Sequence, residues 1–333
     1  IDNSIISNNY AEIGGGISSS CGHLNASDCI FENNSAKYNG GAIASTLGEI
    51  AGVQFTCNFN NITLNNNAAK YGGGLNLGRI IGSFNKVTLN NNSAENGGGI
   101  YNTGNLNINA FTFNLNSADY GGAVYNKAAL TIKSSNILNS VAVKGSAIYN
   151  LADLELVDSN LISNTAADGV IYNNANLNLR NSKFNYNKAD NFGGVVYNVA
   201  YLNVEGCSFD SNGAHVAGSI YTSDKVANIS NSIFTNNKAY NGAVIYSDSE
   251  LIISESQFNK NVVSHSLGII DIHSGNVTIS DSSFTSNAGS DEGGVIFNID
   301  GSILINNSKF ISNKALSYGG AIDNAGQLII LNS

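Results

Sequence analysis

The sequence predicts an all-β protein: a right-handed parallel β-helix of about 13 coils, with 23–26 residues and three short strands per coil. Three observations predict it: a sequence motif that recurs at a fixed interval, apolar anchors in phase with that motif, and a scarcity of helix-forming residues. The motif ends in an aliphatic residue followed by Tyr and usually by Asn. Its tyrosines, 23–25 residues apart, are Tyr101, Tyr125, Tyr149, Tyr172, Tyr197, Tyr221 and Tyr246.

Each repeat carries three apolar anchors, and each anchor predicts one short strand. In one repeat they are Leu106 with Ile108, then Phe113 seven residues after the Leu, and finally Val124 before the Tyr. The chain has no Pro and no Met, and its 36 glycines punctuate β-branched and aromatic runs. Such runs favour strands over helices. The right-handed coil follows from the usual handedness of parallel crossover connections.

The aliphatic residue before the Tyr position gives the number of coils. One interval, from Ile43 to Leu75, takes 32 residues, and we interpret the extra residues at 46–59 as a protruding loop or an edge strand. We expect one β-helix domain over residues 1–333, and its ends suggest a segment of a longer surface protein. The aliphatic residues are Ile17, Ile43, Leu75, Ile100, Val124, Ile148, Ile171, Val196, Ile220, Ile245, Ile270, Ile296 and Ile322.

Stacking turns every repeat position into a column of equivalent residues. We expect the Asn of the motif F-x-x-N and the Asn after the Tyr to form ladders of hydrogen-bonded side chains. The Gly pair, as at Gly121 and Gly122, is expected in a sharp turn with positive φ. The first Asn column is Asn116, Asn164, Asn187, Asn212, Asn237, Asn261, Asn287 and Asn313; the second is Asn102, Asn126, Asn150, Asn173, Asn198, Asn298 and Asn324.

The four cysteines lack the paired spacing of a metal site. Cys29 and Cys207 occupy an inward position two residues before the repeat Phe (or its equivalent), where most repeats have Ser. We therefore expect them to be small buried residues of the core. The sequence leaves a pairing of Cys21 with Cys57 open.

The charge pattern argues against several classes of function. Only 12% of the residues are charged and the net charge is −9, whereas a nucleic-acid binder needs clustered cations to neutralise phosphate. Regularly spaced hydrophobic residues, 42% of the chain, can form a core and argue against disorder. No apolar run is long enough to span a bilayer, so we predict no membrane insertion by this segment.

The Tyr column is the most distinctive feature of the repeat. Its position holds Asn76, Asp271, Phe297 and Asp323 in other coils, so we expect it to face solvent. Two interpretations are open. The tyrosines form a cross-strand ladder that stabilises the sheet, or they offer an exposed aromatic strip that binds sugars or the apolar surface of a partner.

The sequence contains few candidate catalytic or metal-binding groups. Asp271 and Asp323 share a column, two coils and roughly 10 Å apart, with His273 near Asp271; the spacing is close to that of an inverting glycosidase. No cluster of carboxylates spans adjacent coils, and we expect solvated surface groups. The four histidines, His23, His215, His265 and His273, show no common position, so we predict no metal site. No cofactor is expected.

The repeat resembles that of two groups of surface proteins, the chlamydial polymorphic outer-membrane proteins and the adhesin-like proteins of methanogenic archaea. F-x-x-N followed by Gly-Gly-Ala and an aliphatic residue recurs nearly throughout the chain. The pattern is interrupted at Ser140 and Val141 and at 268–271. The resemblance implies surface display and adhesion. Matching pairs of segments are Phe31 to Asn34 with Gly40 to Ile43, Phe113 to Asn116 with Gly121 to Val124, and Phe310 to Asn313 with Gly319 to Ile322.

These observations predict a non-catalytic extracellular, adhesin-like protein that projects a binding surface. Its expected partner is a surface glycan or a cell-surface protein of another cell, contacted through the Tyr column or the segment at 46–59. One alternative is a polysaccharide-processing enzyme with the pectin lyase-like fold that uses Asp271, His273 and Asp323. Another is a structural stalk whose function resides elsewhere in the parent chain.

Overall fold

The computed structural model describes residues 1–20, 23–45, 56–242, 244–265 and 267–333, and in these residues every regular element is a β-strand. The chain divides into two compact units, Ile1–Ala166 and Ala167–Ser333. The organisation of residues 1–333 as one domain stays a prediction. Within each unit the strands pair in parallel between successive coils, so the all-β parallel β-helix is confirmed.

A complete coil contains four strands rather than the predicted three. We name each strand by one characteristic residue: the Leu strand Leu106–Asn109, the Phe strand Thr112–Asn114, the Ala strand Ser117–Tyr120 and the Tyr strand Val124–Asn126. Leu, Phe and Ala point inward, whereas Tyr points outward. The prediction missed the Ala strand because its inward residue is a small Ala between polar residues. That pattern carries no large apolar anchor, so the sequence predicts no strand there.

In the first unit, Thr56–Asn65 and Ile81–Asn90 each cover both the Leu-strand and the Phe-strand positions of one coil. The other Phe strands are Ile5–Ser7, Ile30–Glu32, Thr112–Asn114, Asn136–Leu138 and Asn160–Ile162, and His23–Ser27 pairs with Thr56–Asn65. The Ala strands are Tyr10–Ile13, Ser35–Asn39, Ala68–Tyr71, Ser93–Asn96, Ser117–Tyr120 and Val141–Lys144, and the strand Thr165–Asp168 spans the boundary between the units. The Tyr strands are Ile17–Ser19, Ile43–Ser45, Leu75–Leu77, Ile100–Asn102, Val124–Asn126 and Ile148–Asn150, and the Leu strands are Leu106–Asn109, Leu130–Lys133 and Leu154–Val157.

The second unit repeats the four-strand coil. Its Leu strands are Leu177–Arg180, Leu202–Glu205, Ala227–Ser230, Leu251–Ser254, Asn276–Ser280, Ser302–Asn306 and Gln327–Leu331. Its Phe strands are Lys183–Asn185, Ser208–Asp210, Ile233–Thr235, Gln257–Asn259, Ser283–Thr285 and Lys309–Ile311. Its Ala strands are Lys188–Phe192, Gly213–Val216, Lys238–Asn241 and Val262–Val263, and its Tyr strands are Ile171–Asn173, Val196–Asn198, Ile220–Thr222, Ile245–Ser247, Ile270–Ile272, Ile296–Asn298 and Ile322–Asn324.

The core of each unit consists of columns of identical or similar apolar residues. In the second unit the rings of Phe184 and Phe209 stack with centroids 4.7 Å apart, and Phe209 and Phe234 follow at 4.5 Å. All three are fully buried. Close packing of this kind supplies most of the favourable free energy of a β-helix, because each apolar residue is removed from water on both sides.

A ladder of buried asparagines runs beside the Phe column, as the sequence predicts. The Nδ2 of Asn237 donates to the Phe209 carbonyl at 2.9 Å and to Asn261 Oδ1 at 3.1 Å. Its Oδ1 accepts the backbone N–H of Asn212 at 3.0 Å and also the Asn212 Nδ2 at 3.0 Å. The same contacts link Asn67 and Asn92 in the first unit. Every polar atom of the side chain is therefore satisfied without water.

A second polar ladder follows the position two residues before the Phe. The Oγ of Ser256 accepts the backbone N–H of Ser232 at 3.2 Å and donates to the Ser254 carbonyl at 2.7 Å. Cys29 and Cys207 occupy the same position and are buried, as expected. Burial raises the pKa of the Cys207 thiol to about 12, so this cysteine is a poor nucleophile.

Each ladder Asn follows a corner residue whose backbone has the left-handed conformation. The residue before the ladder Asn has a φ near +55°, for example 54° at Asn91 and 56° at Leu115. Gly121 has a φ of 69°, as predicted for the pair, but Gly122 is not among the glycines with positive φ. Gly122 is required for a different reason, because a Cβ there would lie 2.4 Å from the Ser146 carbonyl oxygen.

Part of the enlarged segment at 46–59, and Cys21, lie outside the described residues. Residues 56–59 form neither a protruding loop nor an edge strand, so both predictions are wrong for them: they begin the ten-residue strand Thr56–Asn65, which pairs with His23–Ser27 and with Ile81–Asn90. Cys57 is buried in this strand, with its Sγ 3.4 Å from Ser45 Oγ. Among the described residues no helix could cross a membrane.

The Asn ladder predicts a large stability loss for Asn237→Ala. The variant leaves the Asn212 N–H buried without its partner and removes one donor from the Phe209 carbonyl. We expect the free energy of unfolding to fall by about 3 kcal/mol, measured by denaturant unfolding. The exposed Asn178→Ala is the matched control and should cost less than about 0.5 kcal/mol. Equal losses in the two variants would contradict a structural role for the ladder.

The corner geometry predicts that Leu115→Asn stabilises the first unit. Leu115 is 50% exposed and has a φ of 56°, a conformation that Asn adopts more readily than Leu. We expect a gain of about 1 kcal/mol in the free energy of unfolding. Leu115→Ala also removes exposed apolar surface but lacks the short polar side chain that lets Asn hydrogen-bond locally in this conformation, so it should not stabilise. A gain of the same size with Ala would refute the argument from φ.

Candidate functional site

The tyrosines of the Tyr strands form regular ring stacks within each unit. In the second unit Tyr172 and Tyr197 have centroids 4.7 Å apart, and Tyr197, Tyr221 and Tyr246 continue at intervals of 4.9 Å. The interplanar angles in this stack are 2° to 10°. The rings are half-buried, so they present their edges to solvent while most of each face contacts a neighbouring ring.

The first unit has a similar but less regular stack. Tyr101, Tyr125 and Tyr149 follow one another at 5.1 Å with angles of 19° and 16°. Tyr71, from the end of an Ala strand, extends the stack with a tilted ring 5.3 Å from Tyr101. Burial raises the pKa of Tyr125 to about 12, and Tyr221 in the second unit shows the same effect.

This geometry favours the ladder interpretation of the tyrosines. A sugar stacks on the open face of an aromatic ring, and here the faces inside each stack are occupied by neighbouring tyrosines. The ring edges and hydroxyl groups remain the parts that a partner would meet. Ring stacking of this kind stabilises adjacent strands by roughly 0.5–1.5 kcal/mol per pair.

Asp271 overturns the expectation that the Tyr position faces solvent. Its side chain is fully buried, as is nearly all of Asn76 at the same position in the first unit. His273 covers the carboxylate, with Nε2 3.3 Å from Asp271 Oδ2. The His273 ring lies 4.6 Å from Tyr246 and thereby takes the next place in the Tyr stack.

The three carboxylate and imidazole groups of the enzymatic alternative do not form one site. The structure brings Asp271 and His273 together, but Asp323 lies two strands farther on, with Phe297 paired between them. Burial raises the pKa of Asp271, and the hydrogen bond to Asp271 raises that of His273. A buried carboxyl cannot touch a glycosidic oxygen, so the pair is arranged as a structural contact.

A groove on the Ala strands of the second unit was missed by the sequence analysis. It encloses about 600 Å³ and lies over Lys188, Gly213 and Lys238, which are paired in register. Tyr186 borders it at the start of the strands, and His215 borders it at the other end. The omission has a physical reason, because these outward residues follow no repeat and the Ala strand itself was not predicted.

His215 and His265 share a stack, contrary to the expectation that the histidines have no common position. Their rings lie on either side of Tyr240, with centroids 4.8 Å and 4.6 Å away. Their spacing of two strands and the Tyr between them do not suit one metal ion. No group of three or more potential metal ligands occurs in the described part of the chain.

Comparisons with known proteins agree with this geometry. A family model described as a right-handed β-helix region matches residues 120–265, which also confirms the predicted handedness. The model of the Chlamydia polymorphic membrane protein repeat matches residues 28–46 and 86–103. The chain is thus a repeat protein similar to the chlamydial polymorphic membrane proteins, and the similarity to methanogen adhesin-like proteins stays a prediction. No curated protein and no solved structure matches.

The buried pair predicts that stability falls as pH rises. Asp271 has a folded-state pKa above its unfolded value, so its contribution is fully present only below about pH 4. The contribution of His273, whose pKa is also raised, is lost above about pH 6.5. Asp248, near both groups, adds negative charge. We expect the thermal midpoint to be lower at pH 8 than at pH 5.

Asp271→Asn tests the origin of this pH dependence. The amide removes the buried charge and also the cause of the raised His273 pKa, so the difference in midpoint between pH 5 and pH 8 should shrink. Asp300→Asn changes an exposed carboxylate and should leave the difference as in the parent. An unchanged difference in the Asp271 variant would locate the pH dependence elsewhere.

Proposed function

We propose that the chain is a non-catalytic, adhesin-like β-helix displayed at the cell surface, where it presents a binding surface to a glycan or to a protein of another cell. The observation that carries the proposal is the match of two segments to the chlamydial polymorphic membrane protein repeat. That family's description names a membrane protein, which supports a location at the cell envelope.

The architecture supports a role as a scaffold that displays a binding surface. Buried ladders and apolar columns hold each coil on the next, so the outward residues are free to vary without loss of the fold. A partner then meets a surface whose chemistry differs from coil to coil. The Tyr stacks remain candidate contacts through their edges and hydroxyl groups. The described part of 46–59 is a strand paired on both sides, with His23–Ser27 and with Ile81–Asn90, so it offers neither a loop nor a free sheet edge to a partner.

The non-catalytic assignment is supported by the surroundings of Asp271. Most glycoside hydrolases need two carboxyl groups that both reach the bond to be cleaved. Asp271 is covered by His273, and Phe297 separates it from Asp323. The enzymatic alternative would require this coil to open, and nothing in the paired strands favours such an opening.

The proposal is tested by binding of the purified chain to an array of glycans and to intact cells, followed by sizing of the recovered glycan. We expect saturable binding to at least one of these targets and recovery of glycan at its original length. Shortened glycan that is restored to full length by Asp271→Asn would favour the enzyme. Absence of binding to every glycan and every cell type would refute the adhesin proposal.

The contribution of the Tyr stacks is separable by conservative variants. Tyr197→Phe with Tyr221→Phe keeps both rings in the stack and removes two hydroxyl groups. If the ring edges bind the partner, affinity should fall about tenfold while the thermal midpoint stays close to that of the parent. Unchanged affinity would leave the stack with its structural role alone.

A further inference from the structure

Gly213 is a glycine that the fold does not require. It lies in the Ala strand Gly213–Val216, and it is not among the glycines with positive φ. A Cβ built there would meet only the Lys238 carbonyl oxygen, at 3.6 Å, which is ordinary contact. Glycine inside a strand costs about 0.5–1 kcal/mol relative to Ala. Its presence therefore points to something that needs the space above the strand.

The missing side chain opens the groove between two lysines. Lys188 and Lys238 pair with Gly213 from the preceding and the following coil, so their Cα atoms are two strand spacings, about 9.6 Å, apart. The corresponding residues in other coils include Ser117, Val141 and Val262. A residue of that size at 213 would fill the gap. The result is a notch of sugar size with an ammonium group on each side.

Exposed rings stand at both ends of the notch. Tyr186 precedes Lys188 by two residues and is 62% exposed. At the other end His215, also exposed, stacks on Tyr240, which is 43% exposed. Among the described residues, Tyr240 is the ring that stacks on His215. These rings offer the open faces and edges that the Tyr stacks lack.

The charge of the groove is opposite to that of the chain. Lys188, Lys238, Asp190 and His215 are the charged or titratable residues that line it, in a chain with a net charge of −9. Lys188 lies 3.3 Å from Asp190, but both side chains are more than 60% exposed, at 66% and 62%. Such an exposed pair contributes at most about 1 kcal/mol, so an incoming anion can replace it. Lys238 has no ion-pair partner among the described residues.

We propose that this groove binds an acidic sugar residue of a glycan. The carboxylate or sulfate of the sugar is held between the ammonium groups of Lys188 and Lys238, and the apolar face of the ring packs against His215 or Tyr186. A neutral sugar gains the ring contact but makes no ion pair with either ammonium group. This inference rests on the proposed function, because it names the ligand class of the displayed surface.

The experiment compares matched pairs of acidic and neutral oligosaccharides. The probes are 3′-sialyllactose with lactose, and hyaluronan hexasaccharide with hexa-N-acetylchitohexaose. Lactose 3′-sulfate, which carries a sulfate and no carboxylate, distinguishes the two acidic groups. We expect the parent chain to bind at least one acidic probe at least about tenfold more tightly than its neutral match in 50 mM salt. The difference should narrow at higher salt, because the lysines are exposed.

Gly213→Val is the decisive variant. Val occupies this position in the coil of Val262, so the strand should fold, and its thermal midpoint should not fall. We expect binding of the acidic probe to weaken by at least about tenfold because the notch is filled. Lys238→Gln should weaken acidic binding about tenfold and leave neutral binding unchanged. Lys183→Gln, on the Phe strand away from the groove, is the matched control.

The outcomes separate this inference from the proposed function. Equal affinity for acidic and neutral probes, or full binding by Gly213→Val, overturns the groove assignment while glycan binding by the surface stands. Binding to cells without binding to any oligosaccharide also overturns it and leaves a protein partner. Absence of both glycan and cell binding removes the proposed function itself.

Discussion

The hydrogen bond between the ladder asparagines of successive coils is the contact on which the rest of the structure depends. Each ladder Asn accepts a backbone N–H at a corner, where no strand partner is available, and also donates to a carbonyl of a Phe strand, as Asn237 does for Asn212 and Phe209. An unsatisfied backbone group at this depth costs roughly 1–3 kcal/mol. The ladder therefore fixes the register of the coils, and with it the stacking of the Phe and Tyr rings.

Because buried side chains fix the register of the coils, the outward residues contribute little to the stability of the fold. The Ala strand shows this most clearly, since its outward position holds Ser117, Val141, Lys188 and Gly213 in different coils. The Tyr strand is the opposite case, with rings held in contact by the same register. The outward face of the Ala strands, where the residues vary between coils, is therefore a better candidate for binding than the Tyr stack. The groove on that face has accessible ring faces and charged groups, whereas the Tyr rings cover one another.

The sequence predicts those features that recur in phase. The coil length, the Asn ladders and the positive φ of Gly121 were predictable because one residue type repeats at each position. The Ala strand was not, since Ala118 is too small to mark an apolar anchor. The burial of Asp271 was not either, because it depends on His273 two residues later. The groove depends on Gly213, Lys188 and Lys238, which stand out only after the coils are aligned in space.

The most direct test of the account is side-chain amide hydrogen exchange in a sample labelled with ¹⁵N at asparagine. The Nδ2 protons of Asn212, Asn237 and Asn261 are bonded and buried, whereas Asn178 is exposed. We predict that the ladder protons exchange at least about a hundredfold more slowly than those of Asn178, since exchange requires a coil to open. Exchange at the same rate in both sets would show that the ladder does not hold the coils together.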